Sequence, residues 1–294
     1  MKRLSFGRLA SLATSMLVAC ILTISPARAD VVGSIFLTGH DPDFHAFVGV
    51  KATGAQHINQ VAIKFIMDPA FNTFVAGGDQ HFLFVECDTC AVPGGHVDGA
   101  LGISASAGGF PAGTSFETHG AADGLATELT KLGTKYSAIV IGSDFGGMLT
   151  QAELDILNAD SAGIISFLNS GGGLYAMAET NPPFGLASSG FFGFLPFVVS
   201  TSPVNETESG NTLTPLGSSL GLVNSDINGN FSHNVFTSTG GLSVVDTDPG
   251  NEILSLAARG KVTSGGIVPE PSSLVLLGSA LLGAAPFLRR KVKS

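Results

Sequence analysis

Ser137-Ala-Ile-Val-Ile-Gly142 leads into Thr150-Gln-Ala-Glu153 and, after an apolar stripe, into Gly171-Gly-Gly-Leu-Tyr-Ala-Met-Ala178. The first segment is apolar at successive positions, which is typical of a strand buried on both faces of a parallel sheet. The second has the spacing of a capping box and begins a helix. One face of that helix carries Leu154, Leu157, Ile164, Ile165 and Leu168. The glycine run ends the helix and a second strand follows, so these residues predict a strand–helix–strand unit.

The same alternation extends toward the N-terminus. Strands are expected at Val31–Thr38 and Phe82–Glu86, and helices at Ala55–Met67 and Ala122–Leu132. The pattern predicts an α/β fold over residues 30–265, a three-layer sandwich with a mainly parallel, flavodoxin-like sheet.

The segment after Pro183 has a different pattern. Two further strands are expected at Leu242–Asp246 and Ile253–Ala258. Residues 206–240 are rich in Asn, Ser and Gly and are interpreted as loop, and residues 260–266 as a linker to the tail.

The composition favours a folded domain and argues against a nucleic-acid binder. The 294 residues are 44% hydrophobic and only 13% charged, with 39 Gly and no Trp, which supplies a core and differs from the composition of disordered chains. Eight of the 14 basic residues lie in the first 28 or the last six positions, which leaves 6 basic against 22 acidic residues at 30–265. A body with a net charge near −16 repels polyanions, so no nucleic-acid partner is expected.

The N-terminus has the three parts of a secretory signal peptide. A basic start and an apolar segment precede a small-residue cleavage site, Ala27-Arg-Ala29. We predict a signal peptide at residues 1–29, export through the Sec translocon, and a mature chain that begins at Asp30. Two alternatives stay open, namely an uncleaved anchor and lipid attachment at the lipobox-like Leu17-Val-Ala-Cys20.

The C-terminus carries a Pro-Glu-Pro motif, a short apolar run and a basic end. The motif is Pro269-Glu270-Pro271, the run is a predicted transmembrane helix at 274–288, and the basic end is 289–293. This arrangement resembles the PEP-CTERM sorting signal. The resemblance implies that the tail, residues 266–294, holds the protein in the inner membrane with its basic end in the cytoplasm until exosortase processes it. It also implies delivery to the cell surface or outside the cell and an exopolysaccharide partner; an ordinary tail anchor is the alternative.

A second resemblance covers residues 31–180. Ile35-Phe-Leu-Thr-Gly-His40, Tyr136–Asp144 and Ile165–Gly173 are similar to class I glutamine-amidotransferase-like domains, in particular to the ThuA-like branch. Active amidotransferases have a Cys in the turn after the nucleophile strand, whereas Tyr175–Thr180 contains none. The resemblance therefore implies the fold and not the glutaminase reaction.

Polar residues follow each predicted parallel strand. Because ligands bind at the carboxyl ends of strands in open α/β sheets, these residues form the candidate site. The densest group is His40-Asp41-Pro-Asp43-Phe-His45, in which His40, Asp43 and His45 are predicted to hold a divalent metal such as Zn, Fe or Mn. Asp144 and Glu179 follow two later strands and are the predicted catalytic acid–base residues. Turn formation and capping are the structural alternative for the first group.

Two other motifs have structural interpretations. Cys87-Asp-Thr-Cys90 holds the two cysteines that remain after removal of the leader, so an exported protein is expected to form a disulfide there; redox and metal roles are the alternatives. The segment from Asp226 to His233 has calcium-loop-like spacing, but Gly229 falls too early for an EF-hand, and a polar turn is expected.

These observations leave two classes of function. One is an exported surface or extracellular-matrix protein, processed by exosortase, whose body has no assigned activity. The other is a metal-assisted hydrolase or a binding protein that acts on carbohydrate. Convergence of His40, Asp43, Asp144 and Glu179 on one pocket would favour the second class.

Overall fold

A mixed sheet of eleven strands organises the part of the chain that the computed structural model describes, which is residues 32–48, 52–90, 98–106, 110, 112–144, 147–178, 191–204, 209–229 and 232–268. In chain order the strands are β1 (Gly33–Thr38), β2 (Phe82–Val85), β3 (Phe116–His119), β4 (Ala138–Ile141), β5 (Gly173–Met177), β6 (Val199–Pro203), β7 (Thr212–Leu213), β8 (Asn234–Thr239), β9 (Ser243–Thr247), β10 (Ile253–Thr263) and β11 (Gly266–Val268). The helices are α1 (Pro42–His45), α2 (Ala52–Ile66), α3 (Thr73–Ala76), α4 (Gly99–Ala105), α5 (Leu125–Leu129), α6 (Gln151–Ala159), α7 (Ser161–Asn169) and α8 (Pro215–Leu220), and a 3-10 turn covers Ala121–Asp123.

Five strands form a parallel half in the order β3-β2-β4-β5-β1. Strands β2 and β4 are buried at every position, which explains their uninterrupted apolar sequences. If β2 is counted as the first strand, then β3, β4 and β5 are the second, third and fourth, and β1 takes the fifth place. In these numbers the order is 2-1-3-4-5, which is the strand order of flavodoxin-like sheets. The order reverses between β2 and β4, so a crevice for ligands is expected where these two strands end.

The other six strands make antiparallel pairs, so the predicted mainly parallel sheet is wrong, whereas the α/β class is confirmed. Strand β10 joins the halves by pairing with β1, from Gly33↔Gly260 to Thr38↔Ser255. A parallel pair needs a crossover of about a dozen residues or more. Only residues 248–252 connect β9 to β10, and only 264–265 connect β10 to β11. These short connections force antiparallel pairing.

Helices cover both faces of the parallel half. Ile35 and Leu37 of β1 pack with residues of α5, α6 and α7, whereas Phe36 packs with residues of α2 and α4. The alternation of side chains along a strand produces this division. Each fully buried side chain of this size stabilises the fold by about 1.5–3 kcal/mol, and the sheet positions the ends of β1, β2 and β4 rigidly.

Several predicted elements have different bounds in the structure. The helix expected from Thr150 to Leu168 is two helices that meet at Asp160, and the predicted capping box of Thr150 and Glu153 is present. Gly171 has a φ of 94° and follows α7, as the glycine run predicted. The segment 206–240 contains β7, α8 and β8 in addition to loops, and residues 260–263 continue β10, so the loop and linker predictions are wrong there.

Among the described residues, no helix combines the length and the apolar character that a membrane span requires. The predicted signal peptide, the sorting motif and the apolar run at 274–288 lie outside the described residues.

Candidate metal centre

Three buried side chains converge between the end of β1 and the beginning of β8. Ligand atoms of Asp41, His45 and His233 lie within 4.8 Å of one another. His45 Nε2 is 3.4 Å from Asp41 Oδ1, and His233 Nε2 is 3.6 Å from Asp41 Oδ2. The residues are 1%, 6% and 7% exposed, in the order Asp41, His45, His233. Two imidazoles and one carboxylate form a donor set that suits Zn²⁺ and other divalent transition metals.

One helical turn brings Asp41 and His45 together. Asp41 occupies the N-cap position of α1, and Pro42 begins the helix with a backbone angle that suits this place. Residues four apart lie on the same side of a helix, so the Asp41 and His45 side chains face each other. The Asp41 side chain makes no capping hydrogen bond, which argues against the capping alternative for this residue.

A close backbone approach brings His233 to the other two. The carbonyl of Gly39 accepts hydrogen bonds from the amides of His233 at 3.0 Å and Asn234 at 3.2 Å. A Cβ atom on Gly39 would lie 1.9 Å from the carbonyl oxygen of Asn234, so this position requires glycine. The turn after β1 is thereby held against the segment that enters β8.

Burial keeps His45 in its neutral form. Desolvation, with the nearby His233 and His40 rings acting in the same direction, lowers the pKa of His45 to about 4. A hydrogen bond with the Val48 backbone opposes this shift and helps to orient the ring. At neutral pH the imidazole is therefore unprotonated, which is the form that binds metals.

The structure does not place His40 among these ligands. His40 Nε2 lies 2.8 Å from Asp246 Oδ2, and His40 Nδ1 lies 3.0 Å from Ser232 Oγ. Because both ring nitrogens are engaged by other side chains, the prediction of His40 as a metal ligand is corrected. The alternative of a hydrogen-bonded structural histidine describes it better.

Asp43 also lies apart from the cluster. It accepts hydrogen bonds from the Ser143 amide and hydroxyl, each at 2.8 Å, and from the Phe44 amide at 3.1 Å. The carboxylate thus ties α1 to the end of β4, and the prediction of Asp43 as a ligand beside His45 is corrected. Burial outweighs these bonds and raises the pKa of Asp43.

Asp43 and Glu86 lie together near the crevice where β2 and β4 end. A Cβ atom on Gly99 would lie 2.9 Å from Glu86 Oε2 and 3.0 Å from Asp43 Oδ2. Glu86 accepts hydrogen bonds from the amides of Gly99 at 2.8 Å and Ala100 at 3.2 Å. Burial, and then Asp98 and Asp43, raise the pKa of Glu86 to about 10, so this carboxyl is protonated at neutral pH.

Of the two predicted acid–base residues, the structure describes only Asp144. Asp144 lies shortly after β4 and is 6% exposed, outside the Asp41–His45–His233 cluster. Glu179 lies outside the described residues. Their catalytic roles stay predictions.

The predicted disulfide is present between Cys87 and Cys90, directly beyond β2. It closes the turn that follows Glu86. The third cysteine, Cys20, falls in the predicted leader, and removal of that leader is expected to leave only the two cysteines of this bond.

A second group of potential ligands is an ion-pair network. Glu117, His119 and Glu128 also offer ligand atoms within 4.8 Å of one another. Lys135 Nζ lies 2.6 Å from Glu117 and 3.3 Å from Glu128, and Tyr136 Oη donates to Glu128 at 2.7 Å. Cationic partners already neutralise these carboxylates, so the group is not a comparable metal site.

Asp41 and His233 are the two members of this cluster that sequence reasoning did not select as candidate ligands. Asp41 stood inside the predicted constellation, and the i, i+4 spacing to His45 was a usable signal. His233 lies 192 positions after Asp41 in a segment predicted to be loop, and no local pattern connects it to β1. Only the antiparallel half of the sheet brings it there.

Residues 268–292 match the family model described as the PEP-CTERM protein-sorting motif. No curated protein matches the chain. The likeness of residues 31–180 to ThuA-like domains is thus without support from a family or a relative. The chain is an exported protein that carries a PEP-CTERM sorting motif, the signal by which exosortase recognises and processes its substrates.

Proposed function

We propose that this chain is a surface or extracellular-matrix protein whose body binds one divalent transition-metal ion through Asp41, His45 and His233. The observation that carries the proposal is the buried approach of two imidazoles to one carboxylate. A metal ion would neutralise the carboxylate and accept the lone pairs of both rings.

The two ends of the chain support the location. The sorting motif supports processing by exosortase, and the leader pattern at residues 1–29 supports entry through the Sec translocon. An acidic body is compatible with a soluble exported product. The association with exopolysaccharide that the PEP-CTERM resemblance implies makes a polysaccharide matrix the expected surroundings.

Metal content tests the proposal directly. The mature protein, equilibrated with Zn²⁺ and dialysed, is expected to retain about one equivalent by elemental analysis. The variant His45→Ala/His233→Ala loses two of three ligands and is expected to retain less than about a tenth of an equivalent.

His81→Ala is the matched control, because His81 is exposed and pairs with an aspartate, Asp79, away from the cluster. It is expected to retain the full equivalent. A wild-type protein without stoichiometric metal, or an equal loss in the control, would refute the metal proposal.

The sorting tail is tested in a cell that contains exosortase. Glu270→Ala in the Pro-Glu-Pro motif is expected to leave a membrane-bound precursor that retains its tail, whereas Ser272→Ala, outside the motif, is processed normally. Intact-mass measurement of both products distinguishes the precursor from the processed form. Normal processing of Glu270→Ala would contradict recognition through this motif.

A metal-assisted hydrolase acting on carbohydrate is the second candidate. The specific observation in its favour is the number of protein ligands. Three ligands, as in catalytic zinc sites, leave a position for a water molecule. Release of reducing ends from polysaccharide by the zinc-loaded protein, absent in His45→Ala/His233→Ala, would support it, and equal release by both would exclude this site as its source.

A further inference from the structure

A second buried cluster lies directly against the candidate metal centre. Asp246 Oδ2, the His40 ring and Ser232 Oγ form a continuous chain of hydrogen bonds, with contacts of 2.8 Å and 3.0 Å. All three residues are 0% exposed. They come from β9, from the turn after β1 and from the approach to β8, and Ser232 and Asp246 lie 192 and 206 positions after His40 in the chain.

Two of the three residues are adjacent in sequence to a residue of the candidate metal centre. His40 precedes Asp41, and Ser232 precedes His233. His40 and Ser232 also form an antiparallel β-bridge, and the His40 amide donates to Thr38 Oγ1 at 3.1 Å. A shift of the His40 ring would therefore move the two chain segments that carry Asp41 and His233.

The carboxylate of Asp246 holds the ring in place. Within the part of the chain that the structure describes, Asp246 Oδ1 is buried without a hydrogen-bond partner, whereas Oδ2 faces the His40 ring. If the ring rotated, Asp246 Oδ2 would lose its hydrogen-bond partner too. Both oxygens of this buried carboxylate would then lack a partner, which is strongly unfavourable. This arrangement keeps Nδ1 directed at Ser232.

The same three residue types form nucleophilic triads in hydrolases, but the geometry differs here. In a serine triad the hydroxyl bonds to Nε2 and the carboxylate to Nδ1. Here Ser232 lies at Nδ1 and Asp246 at Nε2. The hydroxyl of Ser232 is also fully buried, and a nucleophile has to be reached by its substrate.

We infer that Ser232, His40 and Asp246 form a positioning network that sets the spacing of the metal ligands Asp41 and His233. This inference rests on the proposed metal-binding function. Groups of this kind around a metal site fix the orientation of the ligands, and their loss lowers metal affinity about 10- to 100-fold.

Cobalt tests the network, because the visible absorption of bound Co²⁺ reports its coordination geometry. The mature exported protein is titrated with Co²⁺, and the dissociation constant and spectrum are recorded for wild type, Ser232→Ala and Asp246→Ala. Both variants are expected to bind Co²⁺ at least about tenfold more weakly and with an altered spectrum. Ser232→Ala removes a single oxygen and serves as the informative variant if Asp246→Ala does not fold.

Asn72→Ala is the matched control. Asn72 is buried and donates hydrogen bonds of 2.9 Å to the carbonyl of Ile66, at the end of α2, and of 2.7 Å to the carbonyl of Ser137, at the amino end of β4 and so at the opposite edge of the sheet from the metal centre. Its loss lowers stability but is expected to change Co²⁺ affinity by less than about twofold. Asp246→Asn, which keeps a polar partner for the His40 ring, is expected to retain more affinity than Asp246→Ala.

Each result decides between the two proposals. Wild-type affinity and spectrum in Ser232→Ala would overturn the positioning network while leaving the metal site intact. Covalent labelling of Ser232 by a fluorophosphonate would also overturn it, since the hydroxyl would then be an accessible nucleophile. A wild-type protein that binds no Co²⁺ would refute the proposed function itself.

Discussion

At the scale of single residues, burial decides which polar groups take part in the site. Glu86 and His45 differ in charge type, but desolvation drives both toward their neutral forms. For His45 this leaves an imidazole ready to bind a metal. For Glu86 it leaves a protonated carboxyl in the core, and this has a consequence for stability.

Glu86→Gln is expected to weaken the pH dependence of folding stability. Folding raises the Glu86 pKa from 4.5 to about 10, so the folded state holds a proton that the unfolded state releases above pH 4.5. The contribution of the protonated Glu86 carboxyl to folding stability is therefore fully present below the unfolded pKa and is lost as the pH rises toward 10. Between pH 5 and pH 7 the wild type is expected to lose about 2.5 kcal/mol more than Glu86→Gln.

Urea unfolding at several pH values measures this difference. Glu252→Gln is the control, because Glu252 is exposed, and it is expected to follow the wild-type profile. Parallel profiles for wild type and Glu86→Gln would show that Glu86 is ionised in the folded protein.

At the scale of elements, local signals in the sequence account for the helices and strands of the parallel half. Three of these signals could be recognised in the sequence, namely the capping box at Thr150 and Glu153, the apolar runs of β2 and β4, and the glycine at the end of α7. Glu153 does more than cap its own helix. It also accepts a 2.7 Å hydrogen bond from the Ala121 amide, which fixes the 3-10 turn before α5.

Glu153→Ala is expected to destabilise the protein by about 2 kcal/mol, since it removes a buried cap and leaves two backbone amides without their acceptor. Gln151→Ala, in the same turn but exposed, is expected to change stability by less than about 0.5 kcal/mol. Urea unfolding of the two variants at pH 7 compares them. Equal losses would mean that the cap and its bridge to Ala121 contribute nothing specific.

At the scale of the whole molecule, the candidate metal centre lies where the two halves of the sheet meet. Asp41 and His45 follow β1, the last parallel strand, and His233 precedes β8, which lies beyond β10 in the antiparallel half. A bound ion would therefore connect segments that unfolding separates.

Zn²⁺ is expected to raise the melting temperature in a concentration-dependent manner. At a free concentration of 100 times Kd, a ligand specific for the folded state stabilises it by about 2.7 kcal/mol. His233→Ala removes the ligand from the antiparallel half and is expected to lose most of this response, whereas His81→Ala keeps it. Calorimetry across a zinc titration measures the effect, and an unchanged response in His233→Ala would place the ion elsewhere.

The sequence alone determined the sorting tail, the α/β class, the disulfide and the edge of the sheet at which polar groups collect. All of these depend on local signals: a short motif, the period of apolar residues, a cap or two nearby cysteines. The antiparallel half and the choice of ligands were decided by tertiary structure. The pairing of β1 with β10 and the contact of Gly39 with His233 join residues about 200 positions apart, and no local propensity encodes such a contact. His40 and Asp43 have side chains that can bind metals, but in the folded protein His40 is hydrogen-bonded to Asp246 of β9 and to Ser232, and Asp43 to Ser143 beyond β4. The long-range contact of Gly39 places His233, rather than these two residues, beside Asp41 and His45.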